Sequence, residues 1–156
     1  MAEYLPEGLG GRGADLGAGY GYLSHALLSK SHQLVEWHLF EAELKALNAA
    51  RQNLSTVASS TTLHDHWSDV TTGLPVNQLD CIVMNPPFHV ERGADPKLGQ
   101  SFIQAGLLAL KPGGRLFLVA NRHLPYEEVL DRQGCRWQTL GNRQGFKVIA
   151  ARMTAS

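Results

Sequence analysis

The segment Asn85-Pro86-Pro87-Phe88-His89 places the strongest constraint on how this chain can fold. It follows Leu79–Met84, a mostly apolar run that predicts a buried strand, and two consecutive prolines cannot continue that strand. Open α/β sheets bind their ligands at the carboxyl ends of strands. Because the prolines fix the backbone there, the Asn85 side chain and the Pro86 carbonyl could both accept hydrogen bonds from one planar NH2 group. Phe88 would offer a face on which an aromatic base could stack.

A turn without any chemistry is the alternative interpretation of this segment, because Asn-Pro initiates turns and Pro-Pro pairs occur in ordinary loops. A glycine-rich segment earlier in the chain favours a binding site. Residues 12–16 form a short predicted strand, and Gly17-Ala18-Gly19-Tyr20-Gly21 separates it from a helix predicted over residues 20–30. Strand, glycine loop and helix in this order form the first half of a nucleotide-binding βαβ unit. The glycine loop and the proline corner are therefore expected to open onto a common cleft.

The spacing of the glycines indicates which kind of nucleotide this unit would bind. The pattern is G-x-G-x-G, with Tyr22 where the dinucleotide pattern G-x-G-x-x-G requires its last glycine. This spacing favours a nucleoside cofactor without a pyrophosphate over NAD. An NAD-dependent oxidoreductase is disfavoured for this reason, and also because no hydride-transfer partner is evident in the sequence.

Two acidic residues downstream are predicted to contact the rest of such a cofactor. Glu41 ends a second strand predicted over residues 34–40, and a carboxylate about 20 residues after the glycine loop can accept hydrogen bonds from ribose hydroxyls. The alternative is that Glu41 only complements the dipole of the next helix, which is predicted to run to about Leu54. Asp65 follows a third strand, predicted over residues 59–63, and is expected to accept from an adenine amine.

The sequence His64-Asp65-His66 also permits a metal site, because residues i and i+2 of a strand share a face. No third ligand lies at a convincing spacing along the chain, so no metal is predicted. The two cysteines, Cys81 and Cys135, have neither metal nor disulfide spacing and are predicted to be reduced thiols.

Length and composition suit a single compact domain, since the chain has 156 residues of which 44% are hydrophobic. Fourteen basic residues balance fourteen acidic ones, which excludes a strongly basic nucleic-acid binder, although residues 111–156 carry eight Lys and Arg against three Asp and Glu. Pro6, Gly8 and Gly10 predict a flexible lead-in over residues 1–10. No secretory leader and no apolar run of about 20 residues is visible, which predicts a cytoplasmic protein without membrane contact.

The second half of the chain completes the predicted sheet. A helix over residues 97–110 leads into a turn at 111–114 and a buried strand at 115–120, which ends beside Asn121 and Arg122. A short helix after Pro125 precedes two strands, predicted over 134–140 and 145–151 as an antiparallel hairpin.

Together these segments resemble the class I S-adenosylmethionine-dependent methyltransferases. Residues 15–21 resemble their glycine-rich cofactor loop, Glu41 their ribose-binding acid and Asp65 their adenine contact. Residues 85–88 resemble the (N/D)-P-P-(F/Y/W) loop of the members that methylate amines. More narrowly, residues 85–89, 119–126 and 146–148 are similar to the ribosomal RNA guanine-N2 methyltransferases, both the C-type enzymes that modify the small ribosomal subunit and the corresponding enzymes that modify the large one.

This resemblance implies a Rossmann-like α/β fold, a three-layer sandwich around a seven-stranded, mostly parallel sheet with an antiparallel C-terminal strand. It implies methyl transfer from S-adenosylmethionine to the exocyclic N2 amine of guanine, with ribosomal RNA or the small ribosomal subunit as partner. The implied catalytic residues are Asn85, Pro86 and Phe88. The implied cofactor-binding residues are Asp15, Gly17, Ala18, Gly19, Glu41, Asp65 and Asn85. The implied substrate-binding residues are Pro87, Phe88, His89, Asn121 and Arg122.

Other substrates fit the same loop, because adenine N6 and a protein glutamine amide are also planar amines. A module that binds nucleic acid or a partner without catalysis is the alternative from a different class, and failure to bind the cofactor would be its signature. The family members resembled carry a further domain ahead of the glycine loop. Residues 11–156 are therefore expected to be a catalytic domain that is truncated on its N-terminal side.

Overall fold

The computed structural model describes residues 2–87, 89–90, 93–94 and 96–154, and it has helices on both faces of a central sheet. The strands are β1 Gly10–Leu16, β2 Gln33–Glu41, β3 Thr62–Trp67, β4 Leu79–Met84, β5 His89–Val90, β6 Gly93–Ala94, β7 Leu110–Asn121, β8 Arg136–Arg143 and β9 Phe146–Arg152. The helices are α1 Tyr22–Leu28, α2 Leu44–Leu54, α3 Pro96–Ala109 and α4 Tyr126–Arg132, with short 3-10 helices at Ala2–Tyr4 and Val70–Thr72.

The seven long strands form one sheet in the order β3-β2-β1-β4-β7-β9-β8. Strands β3, β2, β1, β4 and β7 are mutually parallel, whereas β9 runs antiparallel to both of its neighbours. The two-residue strands β5 and β6 pair with each other outside this sheet. The predicted sheet, mostly parallel with an antiparallel C-terminal strand, is thereby confirmed.

Strand β4 shows how the sheet separates two hydrophobic layers. Ile82 and Met84 pack into a core with residues of α3 and α4, whereas Cys81 and Val83 pack into a second core with residues of α1 and α2. This alternation follows from the two-residue period of a strand. Burying a side chain of this size completely contributes about 1.5–3 kcal/mol to the free energy of unfolding. The result is the predicted three-layer sandwich. No helix in the described part of the chain combines the length and apolarity needed to cross a membrane.

The parallel register aligns the strand ends that matter for binding. Leu16 at the end of β1 pairs with Met84 at the end of β4 and with Phe40 near the end of β2. Because these strands point the same way, the glycine loop, the proline corner and Glu41 all emerge at one edge of the sheet.

Strand β3 lies later in the chain than predicted. It spans Thr62–Trp67 rather than residues 59–63, so His64, Asp65 and His66 are strand residues that pair with His38, Leu39 and Phe40 of β2. The strand forms one edge of the sheet and none of its side chains is fully buried. An edge strand of this kind lacks the apolar alternation from which strands are predicted.

Residues 2–10, within the lead-in that was expected to be flexible, have defined local structure. Residues Ala2–Tyr4 form a turn of 3-10 helix, Leu5 and Leu9 are buried in the core, and Gly10 opens β1. The burial of the two leucines, rather than the glycine and proline spacing, decides the conformation here.

The predicted turn at residues 111–114 occurs as a bulge within β7. The strand pairs Leu79 with Leu110 and then Cys81 with Arg115, so four residues of β7 lie opposite a single residue of β4. Gly113, with φ of 80°, provides the left-handed conformation that such a bulge requires.

Candidate active site

The loops after β1 and β4 line a single cleft. Gly17, Ala18, Gly19 and Asn85 surround a cavity of about 380 Å³. A Cβ atom at Gly17 would lie 3.9 Å from the backbone carbonyl oxygen of Asn85. The common cleft expected from the sequence is therefore present, and the Asn85 residue borders it.

The glycine loop turns its backbone toward this cleft. Gly17 and Gly19 have φ of 77° and 55°, and the amides of Gly17 and Ala18 both donate to the Phe40 carbonyl at 2.9 Å. Among the described residues, no heavy atom lies within 4 Å of the position that a Cβ at Gly19 would occupy. The loop is thus fixed to β2 from below, while a ligand can approach the Gly19 backbone closely.

Glu41 lies at the end of β2 with both carboxylate oxygens held by backbone amides. Its Oε1 accepts from the Gly19 amide and its Oε2 from the Glu43 amide, each at 2.8 Å. It also lines a second cavity of about 280 Å³ together with Gly17 and Asn85. Because each carboxylate oxygen can accept more than one hydrogen bond, Glu41 can still accept from two ligand hydroxyls.

Asp15 is a buried acid at the floor of the first cavity. Its carboxylate accepts from Ser24 Oγ at 2.6 Å, and the Trp37 indole donates to the same hydroxyl at 2.8 Å. Burial raises the pKa of Asp15 to about 7, and the hydrogen bond from Ser24 only partly opposes that effect. A cationic ligand group nearby would favour the ionised form of this carboxyl.

The structure does not bring Asp65 to the cleft. Its carboxylate forms a 2.8 Å ion pair with Arg51 of α2, and it borders neither cavity. Because β3 begins later than predicted, Ser68 and Asp69 occupy the loop that follows it, and both line the second cavity beside Glu41. The Ser68 Oγ atom is buried without a hydrogen-bond partner in the described part of the chain. The candidates for an adenine contact thus move from Asp65 to Ser68 and Asp69.

The proline corner is described only as far as Pro87. Pro86 is buried, and the exposed Pro87 lines the second cavity. Phe88 and the side chain of His89 lie outside the described residues, so their predicted roles stay predictions.

Asn121 ends β7 and Arg122 follows it at the same edge of the sheet, although neither borders the two cavities. The Asn121 Oδ1 atom accepts from the His123 amide at 3.0 Å, which makes a tight turn. The buried Lys147 ammonium of β9 fixes this turn from below. It donates to the carbonyls of Arg122 and Leu124 at 3.2 and 2.6 Å, and to Glu127 Oε1 at 2.6 Å.

An apolar wall of the first cavity has no counterpart among the residues predicted from the sequence. It consists of Tyr20, Tyr22, Leu23, Val119 and Phe146. Phe146 reaches the cleft because β9 pairs it with Asn121 at the end of β7, a contact between distant positions that local spacing does not signal. Tyr20 and Tyr22 remain largely exposed, so their rings are available to a ligand at the cleft.

A sheet of this strand order, with a glycine loop, an acidic strand end and an Asn-Pro-Pro corner around one cleft, defines a Rossmann-like methyltransferase domain. The chain belongs to the methyltransferase small domain family, whose profile matches residues 1–150.

Two curated relatives indicate a narrower group of methyltransferases to which the chain is similar. The chain is 34% identical over 148 residues to the ribosomal RNA large subunit methyltransferase G of Alcanivorax borkumensis, covering 94% of this chain and 37% of that protein. It is 35% identical over 153 residues to the ribosomal RNA small subunit methyltransferase C of Hahella chejuensis, covering 97% of this chain and 43% of that protein. The chain therefore spans about two fifths of the length of these relatives.

Two solved structures agree with the family assignment. The T. thermophilus 16S ribosomal RNA N2 methyltransferase RsmC, solved in complex with AdoMet and guanosine, superposes with a TM-score of 0.72 at 33% identity, covering 91% of this chain and 37% of that chain. A SAM-dependent O-methyltransferase from Thermotoga maritima superposes with a TM-score of 0.75 at 16% identity, covering 99% of this chain and 64% of that chain. The second similarity supports the fold alone.

Proposed function

We propose that this chain transfers a methyl group from S-adenosylmethionine to the exocyclic N2 amine of a guanine in ribosomal RNA. The observation that carries the proposal is that Asn85 lines one cavity with Gly17 and Gly19. A residue that can accept hydrogen bonds from an amine and the proposed cofactor loop therefore border the same space. The named ribosomal RNA methyltransferases and the structure with AdoMet and guanosine support the same assignment.

The residues around the cleft fit this cofactor. The open space beside Gly19 admits a ligand next to the backbone, and the oriented Glu41 carboxylate suits two ribose hydroxyls. The buried Ser68 Oγ, which has no hydrogen-bond partner in the part of the chain that the structure describes, and the nearby Asp69 suit an adenine edge. The buried Asp15 carboxyl suits an ammonium group. When bound, S-adenosylmethionine supplies an electrophilic methyl group on a sulfonium.

The proline corner would act mainly by orientation. A guanine N2 amine is a weak nucleophile because its lone pair is delocalised into the ring. If the Asn85 side-chain oxygen and the Pro86 carbonyl each accept one N–H, the lone pair turns toward the methyl group. Phe88 would stack on the base. No strong general base is needed, since the amine becomes acidic once it carries the methyl group.

The rim residues Pro87, His89, Asn121 and Arg122 would contact the rest of the RNA. Lys147 holds the backbone of the Arg122 turn rigidly, so the Arg122 side chain projects from a fixed base toward phosphates. We propose ribosomal RNA or the small ribosomal subunit as the partner, and a cytoplasmic location follows from that proposal.

Calorimetric titration with S-adenosylhomocysteine, followed by a methyl-transfer assay on ribosomal RNA, tests the assignment. The Asn85→Ala variant should retain cofactor affinity within about threefold while its methyl transfer falls by about 10²–10³-fold, the usual cost of losing one positioned polar group. Asn142→Ala, on the exposed strand β8, serves as the matched control and should be fully active.

Nuclease digestion of the methylated RNA identifies the modified atom. We expect N2-methylguanosine. N6-methyladenosine, or methyl incorporation into protein instead of RNA, would replace the proposed substrate with one of the alternatives. A folded sample that does not bind S-adenosylhomocysteine would support a non-catalytic module instead.

A further inference from the structure

A second group of ligand-type side chains lies on strands β2 and β3, outside the two cavities of the cleft. The ligand atoms of Glu36, His38 and His64 all lie within 4.8 Å of one another. Glu36 and His38 share one face of β2 because they are two residues apart, and His64 of β3 pairs directly with His38. The sheet register thus collects three potential metal ligands that spacing along the chain does not reveal.

His38 is the unusual member of this group because its ring is buried and only one of its two nitrogens has a hydrogen-bond partner among the described residues. It is 5% exposed, and its Nε2 atom has no hydrogen-bond partner among the described residues. Its other ring nitrogen, Nδ1, lies 2.9 Å from His66 Nε2. If His38 donates from Nδ1 to His66, its Nε2 carries a lone pair that faces the Glu36 carboxylate oxygen at 3.6 Å. In this tautomer the two lone pairs repel each other unless a cation lies between them.

We propose that Glu36, His38 and His64 bind one divalent transition-metal ion of the Zn²⁺ type, with His66 orienting His38. Two imidazoles and one carboxylate form a ligand set that such ions accept, with water at the fourth position. In the proposed tautomer His38 Nδ1–H donates to His66 Nε2, which would hold the ring orientation as the partners of metal-bound histidines usually do.

Metal binding requires the three ligand atoms to move slightly closer together. Ligand atoms around tetrahedral Zn²⁺ lie about 3.3 Å apart, given metal–nitrogen distances of about 2.0–2.1 Å. His64 and Glu36 are only partly buried, so rotation of their side chains can bring them toward the fixed His38. The Glu36 Oε2 atom that faces His38 Nε2 also accepts from Arg12 Nε at 2.7 Å, so the ion would bind either this shared oxygen or, after rotation of the carboxylate, Oε1. Arg12 therefore competes with the ion for the Glu36 charge.

A purely structural role for these histidines makes different predictions. The His66 ring stacks on Phe40 with centroids 4.2 Å apart, and the His38 and His64 rings stack with centroids 4.7 Å apart. If the rings only shield Phe40 from water, no metal should bind and Arg12 should matter only for stability.

Titration of the tag-free protein with Co²⁺, a spectroscopic substitute for Zn²⁺, distinguishes the two roles. We expect one equivalent to bind with the intense visible absorption of a tetrahedral N/O site, and Zn²⁺ to displace it. His64→Ala and Glu36→Gln should each weaken binding by more than about tenfold. Arg12→Gln should strengthen it, because the competing cation is removed. His32→Ala, an exposed histidine before β2, is the matched control and should leave the affinity unchanged.

A weak octahedral spectrum would overturn the proposal, as would an affinity that falls equally in His32→Ala and His64→Ala. Binding that survives both His64→Ala and Glu36→Gln would overturn it as well. Circular dichroism shows whether each variant is folded. If His64→Ala does not fold, Glu36→Gln and Arg12→Gln still test the proposal through their opposite expected effects on Co²⁺ affinity.

Discussion

Asp15 is the residue whose environment most changes its chemistry, and its protonation links stability to pH. Its carboxyl is buried, with a pKa raised from 3.8 to about 7, so the folded protein binds a proton there that the unfolded chain has lost. Its contribution therefore lowers the free energy of unfolding as the pH rises from about 4 to 7. A shift of this size corresponds to about 4 kcal/mol.

Asp15→Asn should remove this pH dependence, since an amide can still accept from Ser24 and cannot ionise. Relative to the wild type, the variant should gain about 3 kcal/mol between pH 5 and pH 8. Urea unfolding at these two pH values measures the difference. Parallel pH profiles for the two proteins would contradict a buried, proton-binding Asp15.

At the residue scale, a predicted site residue lies at the cleft where its position follows from a strand end that was itself placed as expected. Glu41 and Asn85 reach the cleft because β2 and β4 are apolar enough to be recognised and they end where expected. Asp65 borders neither cavity of the cleft, because β3 begins three residues later than expected. Ser68, Asp69 and Phe146 had no local signal that pointed to the cleft.

At the scale of elements, two glycines lie where neighbouring elements approach each other closely, and the atoms around these two glycines differ in how easily they can move. A Cβ at Gly13 of β1 would lie 2.5 Å from Trp37 Cζ3 and 2.9 Å from the Cys81 carbonyl oxygen. A Cβ at Gly106 of α3 would lie 2.9 Å from Met84 Cε, the end of a flexible side chain. A side chain at Gly13 would therefore meet groups that cannot move aside, whereas one at Gly106 would not.

Gly13→Ala should therefore destabilise the protein by about 1–3 kcal/mol, the usual cost of overpacking. Gly106→Ala should be neutral or stabilising by up to about 1 kcal/mol, because alanine favours the helix and Met84 can repack. Thermal unfolding of both variants tests this contrast, and a larger loss for Gly106→Ala would show that α3 packs more tightly on β4 than the structure indicates.

Elements with a strong hydrophobic period were predictable, and elements at the margins were not. The apolar run of β4 gave its bounds correctly, and the hairpin of β8 and β9 was expected within two to three residues. Strand β3 was misplaced because an edge strand carries polar side chains. The burial of Leu5 and Leu9 before β1 had no local signal, because it depends on tertiary contacts.

At the scale of the whole molecule, charge is separated along the chain and then concentrated by the sheet. Residues 1–110 carry six Lys and Arg against eleven Asp and Glu, whereas residues 111–156 carry eight against three. The register of β7, β9 and β8 places Arg115, Arg152 and Arg136 side by side on three neighbouring strands. Like charges in this arrangement repel one another, and no carboxylate pairs with these three in the described ranges.

This arginine row lines a cavity of about 480 Å³ together with Phe117 and Trp137. It lies about 20 Å along β7 from Asn121, given a rise of about 3.3 Å per residue, so one RNA strand can reach both places. If the substrate is ribosomal RNA, phosphates that bind here relieve the repulsion between the arginines. The row would then add affinity without selecting the base.

Replacing Arg136 and Arg152 with glutamine should therefore weaken RNA binding and reduce the slope of log affinity against log salt by about 1–2, while S-adenosylhomocysteine affinity stays unchanged. Arg51→Gln, which removes a basic side chain already paired with Asp65, is the matched control and should leave the slope unaltered. Filter binding or fluorescence anisotropy across a salt series measures both quantities. An unchanged slope in the double variant would mean that RNA does not reach this part of the sheet, since phosphate contacts cannot be lost without releasing fewer counterions.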